Sequence, residues 1–214
     1  MSRPKVPLFI ALCAWLAASP LIVGVYAHAS WLGAIDRPVV AFITAAHNPW
    51  LNQVMLMVTS IGNPNTITLL TLLIMLGLAW HHAYWPAIFI GTSVGGLSLT
   101  NHLLKMWLQR PRPFIADPTI HPLTTAAGYS FPSGHATAAM ALGGALIFLA
   151  RKLRRNYVRW LGRLLLALTI LAIGLSRIYV QVHYPTDVLA GYLIALGGLQ
   201  LLWWFMTPKL TVPQ

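Results

Sequence analysis

Acidic side chains are almost missing from this sequence. Asp36, Asp117 and Asp187 are the only carboxylates among 214 residues, and glutamate does not occur. Two-metal phosphatases need several carboxylate ligands, and three aspartates far apart in the chain offer no such motif. Zinc is equally unsupported, because there is one cysteine and no helical His pair beside a Glu. No metal and no other cofactor is expected. The lone Cys13 excludes an intramolecular disulfide, and its place in an apolar run predicts a packed thiol. No Walker-type loop is present, which argues against an ATP-using kinase. Charge of either sign is scarce, at 8% of residues against about a quarter in soluble domains.

What fills the chain instead is apolar. Hydrophobic residues make up 57% of it and the mean hydropathy is +0.70, which predicts an all-α polytopic membrane protein. The net charge of +11 lies in short loops between apolar runs rather than on one soluble face, so no nucleic-acid partner is expected. No long polar linker divides the chain, and residues 1–214 are expected to form one domain. Six transmembrane helices are predicted near 7–27, 66–80, 86–108, 132–150, 160–178 and 185–206. The first follows a basic start and ends in an A-x-A-like stretch, as a signal peptide would. Its apolar part has span length, however, and an uncleaved helix is expected.

Between the first two spans, residues 31–65 mix Trp, Asn and Pro with apolar residues. This suits helices lying in the interface, with Trp31 and Trp50 at headgroup depth, or a re-entrant hairpin. Gly91 with Gly95, and Gly143 with Gly144, are expected to let helices pack closely.

Basic residues set the orientation. Arg3 and Lys5 precede the first span, the run 151–163 joins the fourth and fifth, and Lys209 follows the sixth. Six spans put these on one side, which the positive-inside rule makes cytoplasmic, with both termini. Arg37, Lys105, Arg110, Arg112 and Arg177 then fall outside, against the rule, and charges that break a topological preference usually have a function.

Three outer segments hold most of them. "KMWLQRPRP" places Lys105 seven residues before Arg112-Pro113, although a lysine there could simply snorkel to the interface. "PSGH" opens the fourth helix, with Ser133 a candidate N-cap and the helix N–H groups free for an anion. "SRIYVQVHYPTD" sets His183 one turn before Asp187, close enough for an imidazole–carboxylate hydrogen bond, with Pro185 in the first helical turn. Arginine offers planar bidentate contacts and lysine a point charge, a combination suited to a phosphoryl group.

Together, K-x6-R-P, P-S-G-H and S-R-x5-H-x3-D resemble the signature of the type 2 phosphatidic acid phosphatase superfamily, at every motif position. The resemblance implies a phosphohistidine mechanism. His183 would be the nucleophile, Asp187 its orienting carboxylate and His135 the general acid and later base. Lys105, Arg112, Ser133, the Gly134 amide and Arg177 would bind the phosphoryl oxygens. Arg110 stands outside the signature, and His102 is expected to pack.

A site at the membrane surface implies a lipid phosphate or lipid diphosphate as substrate, with the bilayer as surroundings. Family members of similar compactness act as type B phosphatidylglycerophosphatases or undecaprenyl-diphosphate phosphatases, and the motifs do not choose between them. The site would face the outside of the plasma membrane. Two other readings use the same residues: a phosphotransferase passing phosphate to another lipid, and a phosphate-lipid binder or anion conductor with no turnover. Nothing in the sequence sets an oligomeric state.

Overall fold

Short polar signals cut the apolar chain into helices. The structure, a computed structural model, describes residues 5–152 and 155–211, and no strand occurs among them. In chain order the helices are α1 (Val6–Tyr26), α2 (Ser30–Thr44), α3 (Pro49–Ile61), α4 (Pro64–Trp80), α5 (Tyr84–Leu108), the single turn α6 (Pro113–Ala116), α7 (Gly134–Leu149), α8 (Asn156–Tyr179) and α9 (Pro185–Thr211). Two Asn-Pro pairs start α3 and α4: the Asn48 and Asn63 side chains accept from the Leu51 and Asn65 amides, both at 2.9 Å. Each proline fills a first-turn position, where its missing N–H costs nothing. Left-handed residues close four helices, namely His28 after α1, His82 after α4, Gln109 after α5 and Gln181 after α8.

The all-helical expectation holds, and the count of spans is coarser than expected. α1, α8, the stretch Pro185–Pro208 of α9 and the segment Tyr84–Ala116 that begins with α5 are long and apolar enough to cross a membrane. α3 and α4 pass that test as a pair bent by 48°, which makes up to five. α7, expected as a span over 132–150, has 16 residues, or about 24 Å of helix against a hydrocarbon core of about 30 Å. Arg3 and Arg154 of the basic segments lie outside the described residues.

α7 is short because it is the buried centre. Ten of its residues are buried, seven of them Ala or Gly, and it packs against α5, α8 and α9. A methyl group at Gly143 would come within 2.8 Å of Ile170 on α8, and one at Gly144 within 2.5 Å of Leu199 on α9. Gly91 likewise lies against Met75 of α4, whereas Gly95 faces open space and makes no close crossing. Around this centre the outer helices leave rows of leucines exposed, including Leu164, Leu168, Leu171 and Leu175 on α8. Such a belt is unstable in water and at rest in lipid, so this is an integral membrane protein. Cys13 and His102, expected to pack, lie instead on this exposed side of their helices.

One glycine ties the packing of α9 to the start of α7. A Cβ at Gly191 of α9 would sit 2.8 Å from the backbone oxygen of Ser133, the residue just before α7. Gly191→Ala is therefore expected to lower stability by about 1–3 kcal/mol through overpacking. Gly95→Ala, made into open space, should be neutral or slightly stabilising. Thermal unfolding of both variants in one detergent checks the contrast.

Candidate active site

Helix ends converge at one end of the bundle: the C-termini of α5 and α8 and the N-termini of α7 and α9. The loop from Gln109 to Ser133 closes over them. A cavity of about 290 Å³ lies there, and Lys105, Arg112, Gly134, His135, Arg177 and His183 all line it. Six of the eight residues expected at the site thus share one wall. The remaining two stand behind it, both fully buried.

Of those two, Ser133 caps α7. Its oxygen accepts from the Ala136 amide at 3.5 Å, which satisfies one of the donors a helix start leaves unpaired. Asp187, in the first turn of α9, faces His183 across one helical turn, with Nδ1 3.4 Å from Oδ2. The same carboxylate accepts from the Tyr184 amide at 2.9 Å, from Arg110 Nη1 at 2.6 Å and from the Ser130 hydroxyl. Fixing Nδ1–H toward Asp187 leaves the Nε2 lone pair toward the cavity, where Arg112 Nη1 approaches to 3.2 Å. Burial, ahead of the opposing pull of Asp187, drives the His183 pKa down to about 3. The ring is therefore neutral at physiological pH, with its basic lone pair on Nε2 facing the cavity and Arg112.

Arg112 and Lys105 also build the cavity they line. Arg112 donates to the carbonyls of Ala127, Gly128 and Val182 at 2.8–3.0 Å. It thereby staples the roof loop to the segment before His183. Lys105 Nζ donates to Tyr129 O at 2.6 Å, and Asn101 Nδ2 to Pro132 O at 3.3 Å and Thr137 Oγ1 at 3.0 Å. Arg177 is buried, with Nη1 2.5 Å from Thr59 Oγ1. Its Nε has no partner.

The charges do not balance. Asp36 and Asp187 are the buried carboxylates at this end, and both pair with Arg110, at 2.7 and 2.6 Å. Lys105, Arg112 and Arg177 have no carboxylate partner among the described residues. Buried charges of one sign are costly unless something compensates them. With an unpartnered N–H on Arg177, the cavity is complementary to a small polyanion. Metal ligands are another matter: no group of three His, Cys, Asp or Glu that could hold an ion occurs among the described residues.

Sequence reasoning missed Asp36, Thr59, Asn101, Ser130 and Thr186, and left Arg110 at the margin. For Arg110 the signal was present, since the predicted orientation set it against the positive-inside rule together with Lys105, Arg112 and Arg177. Asp36 had a weaker one, as one of three acids in the chain. The hydroxyls and the amide carried none.

Inorganic phosphate or vanadate is expected to raise the unfolding temperature in detergent beyond chloride at equal ionic strength. The gain should approach ~2.7 kcal/mol at 100 times the dissociation constant. Arg177→Met should fold, since it removes one of three unpaired cations, and should lose most of that gain. Thermal scans with each anion measure both.

The sequence matches the PAP2 superfamily over residues 86–210, from α5 into α9. Phosphatidylglycerophosphatase B of Bacillus subtilis is 28% identical over 184 residues, covering 82% of this chain and 85% of that protein. An undecaprenyl-diphosphatase of the same organism is 33% identical over 153 residues, 70% of this chain and 72% of its own. Among solved structures, a transmembrane PAP2-type phosphatidylglycerolphosphate phosphatase from Bacillus subtilis superposes with a TM-score of 0.82 at 25% identity. It covers 96% of this chain and 100% of its own. Motifs, fold and relatives agree: this chain belongs to the PAP2 superfamily.

Proposed function

We propose that this chain hydrolyses a lipid phosphate or lipid diphosphate at the membrane surface, without a metal ion, through a phosphohistidine. The observation that carries the reading is the single cavity in which two imidazoles meet three cations that lack a carboxylate partner. The activities of the relatives support it, since one acts on phosphatidylglycerophosphate and the other on undecaprenyl diphosphate.

In the first step His183 Nε2 attacks phosphorus. The bond from phosphorus to the leaving oxygen breaks, the ester oxygen of a monophosphate or the bridging oxygen of a diphosphate, and His135 gives its proton to that oxygen. Asp187 balances the positive charge that develops on the His183 ring. The bound phosphate supplies the negative charge beside which His135 can hold a proton among cations. In the second step His135 takes a proton from water, the water oxygen attacks the phosphohistidine, and phosphate leaves with His183 restored. Lys105, Arg112, Arg177 and the amide groups at Ser133–Gly134 hold the equatorial oxygens throughout. Three fixed cations do what divalent ions do in two-metal enzymes.

The same reading sets the topology. Lys5, Arg151, Arg155, Arg159 and Arg163 lie at the opposite end of α1 and α8 from the cavity. α8 alone has 24 residues, about 36 Å of helix. By the positive-inside rule that far end is cytoplasmic, and the cavity opens on the outer face of the plasma membrane. Six crossings then result, with α3–α4 as one broken span and α7 as a short one shielded by its neighbours. α2 lies beside the cavity at headgroup depth.

Phosphate release from phosphatidate and from undecaprenyl diphosphate in mixed micelles with excess chelator tests the proposal. Activity should persist with chelator. His183→Ala should lower it by about 10³-fold or more, and His135→Ala by ~10²–10⁴-fold. An acid-labile phosphoprotein should form in the wild type and be missing from His183→Ala. Undiminished turnover in His183→Ala would refute the mechanism, and label appearing on an acceptor lipid instead of water would make the enzyme a phosphotransferase.

A further inference from the structure

α2 lies outside the matched PAP2 region, yet it reaches the centre of the site through Asp36. That carboxylate, 1% exposed, accepts from the Thr186 amide and the Thr186 hydroxyl, each at 2.9 Å, across 150 residues of sequence. It also accepts from Arg110 Nη2 at 2.7 Å. Arg110 passes the contact on: Nη1 is 2.8 Å from Thr186 Oγ1 and 2.6 Å from Asp187 Oδ1, and the guanidinium carbon sits 4.0 Å from the centre of the Tyr184 ring. One oxygen of Asp187 is thus held by Arg110, and the other is left for His183, Ser130 and the Tyr184 amide.

We infer that Asp36, acting through Arg110, is a positioning residue for the His183–Asp187 pair. This rests on the proposed role of that pair. The geometry is specific. A guanidinium can bridge two carboxylates with separate N–H groups in a fixed plane, which a lysine cannot. Asp36 grips both the guanidinium and the first turn of α9, the turn that carries Asp187. An amide in its place has one acceptor oxygen for three donors, and its NH2 opposes the N–H groups of Arg110, which frees the guanidinium to rotate. Neither Asp36 nor Arg110 lines the phosphate cavity, so the effect should fall on the chemical step and spare substrate binding.

Apolar packing locates α2 only in part, through Leu32 in the cluster beside α1 and through Val40 and Ile43 half-buried against Ala136, Ile178 and Val188. Of its 15 residues, Leu32 and Asp36 are buried, and cavities of about 540 and 350 Å³ flank it, both walled by Arg37, Arg110 and Tyr184. The Asp36 clasp therefore fixes the helix and the dyad together. A role confined to anchoring α2 would lower stability and leave turnover per folded molecule unchanged.

The test uses the full chain in detergent with phosphatidate in mixed micelles. Asp36→Asn should lower kcat by about 10- to 100-fold, the loss expected when a reacting group is misplaced by about 1 Å. KM should stay within about threefold of wild type, because no cavity group changes. Arg110→Lys, which keeps the charge but loses the bridge, should fall between the two. The double variant should be no slower than the slower single one, because both act along one path. Wild-type kcat in Asp36→Asn, losses that multiply, or a rise in KM matching the fall in kcat would each overturn the inference. If Asp36→Asn does not fold, Arg110→Lys decides alone: unchanged kcat overturns, and lowered kcat at constant KM supports. His183→Ala separates the two claims, since activity there removes the dyad itself. An inactive His183→Ala beside a wild-type Asp36→Asn removes only the positioning role.

Discussion

The buried carboxylate of Asp187 accepts from Arg110, Ser130 and the Tyr184 amide and faces the His183 ring, while its main-chain oxygen accepts from the Ser133 amide at 3.0 Å. One residue therefore joins the roof loop, the start of α7, the turn before α9 and, through Arg110, helix α2. A carboxylate in such a place is stable only while every lone pair is used, because an unpaired buried charge is far more costly than an unmade neutral hydrogen bond. That condition makes the site end cooperative. Loosening any donor weakens the case for the rest, and the imidazole that depends on Asp187 loses its orientation with them.

Against this satisfied anion stand three cations that are not satisfied by any carboxylate. The lack of glutamate and the near lack of aspartate now have a physical reading. A free carboxylate in the cavity would pair with Lys105, Arg112 or Arg177 and compete with a phosphate for the same donors. Within a bundle surrounded by lipid the competition would be severe, since low dielectric strengthens every such pair. The chain places one aspartate behind the histidine and a second behind the arginine. It keeps both out of the space where the phosphoryl oxygens would lie. Arg110 is neutralised by the two carboxylates, whereas the other three cations stay available.

Helix existence and the three motifs were legible in the sequence because each is local. Apolar runs report helices, Pro185 reports a first turn, and the spacing from His183 to Asp187 reports one turn of helix. The contacts that complete the site are not local. Arg110 to Asp36 spans 74 residues, Arg177 to Thr59 spans 118, and Thr186 to Asp36 spans 150. No periodicity or spacing registers such pairs. The same limit explains smaller misses. Gly95 has the spacing of a crossing point with Gly91, but only Gly91 has a neighbour, and His102 and Cys13 sit on helix faces that the sequence does not assign to core or lipid. The mixed composition of residues 31–65 has a local and a non-local source. The mixture comes from the Asn-Pro starts of two helices and from the one acid that reaches inward.

The shortness of α7 links the packing to the chemistry. A central helix of 16 residues packed against α5, α8 and α9, which have 24 to 27, leaves a vacancy at one end of the bundle. In this chain the vacancy is at the N-terminal end of α7, where its free amides and His135 point into it and the roof loop from Gln109 to Ser133 closes over it. A longer α7 would fill the cavity with its own backbone, and a bulkier one would push α8 and α9 apart. Its alanines and glycines therefore serve two ends. They let Ile170 and Leu199 come close enough to exclude lipid from the centre. They also bring the last turn of α8, the turn before α9 and the first turn of α7 near enough for Arg177, His183 and His135 to share one cavity. The proposed phosphate site is the space that close packing of small residues leaves at the end of a helix too short to reach the surface alone.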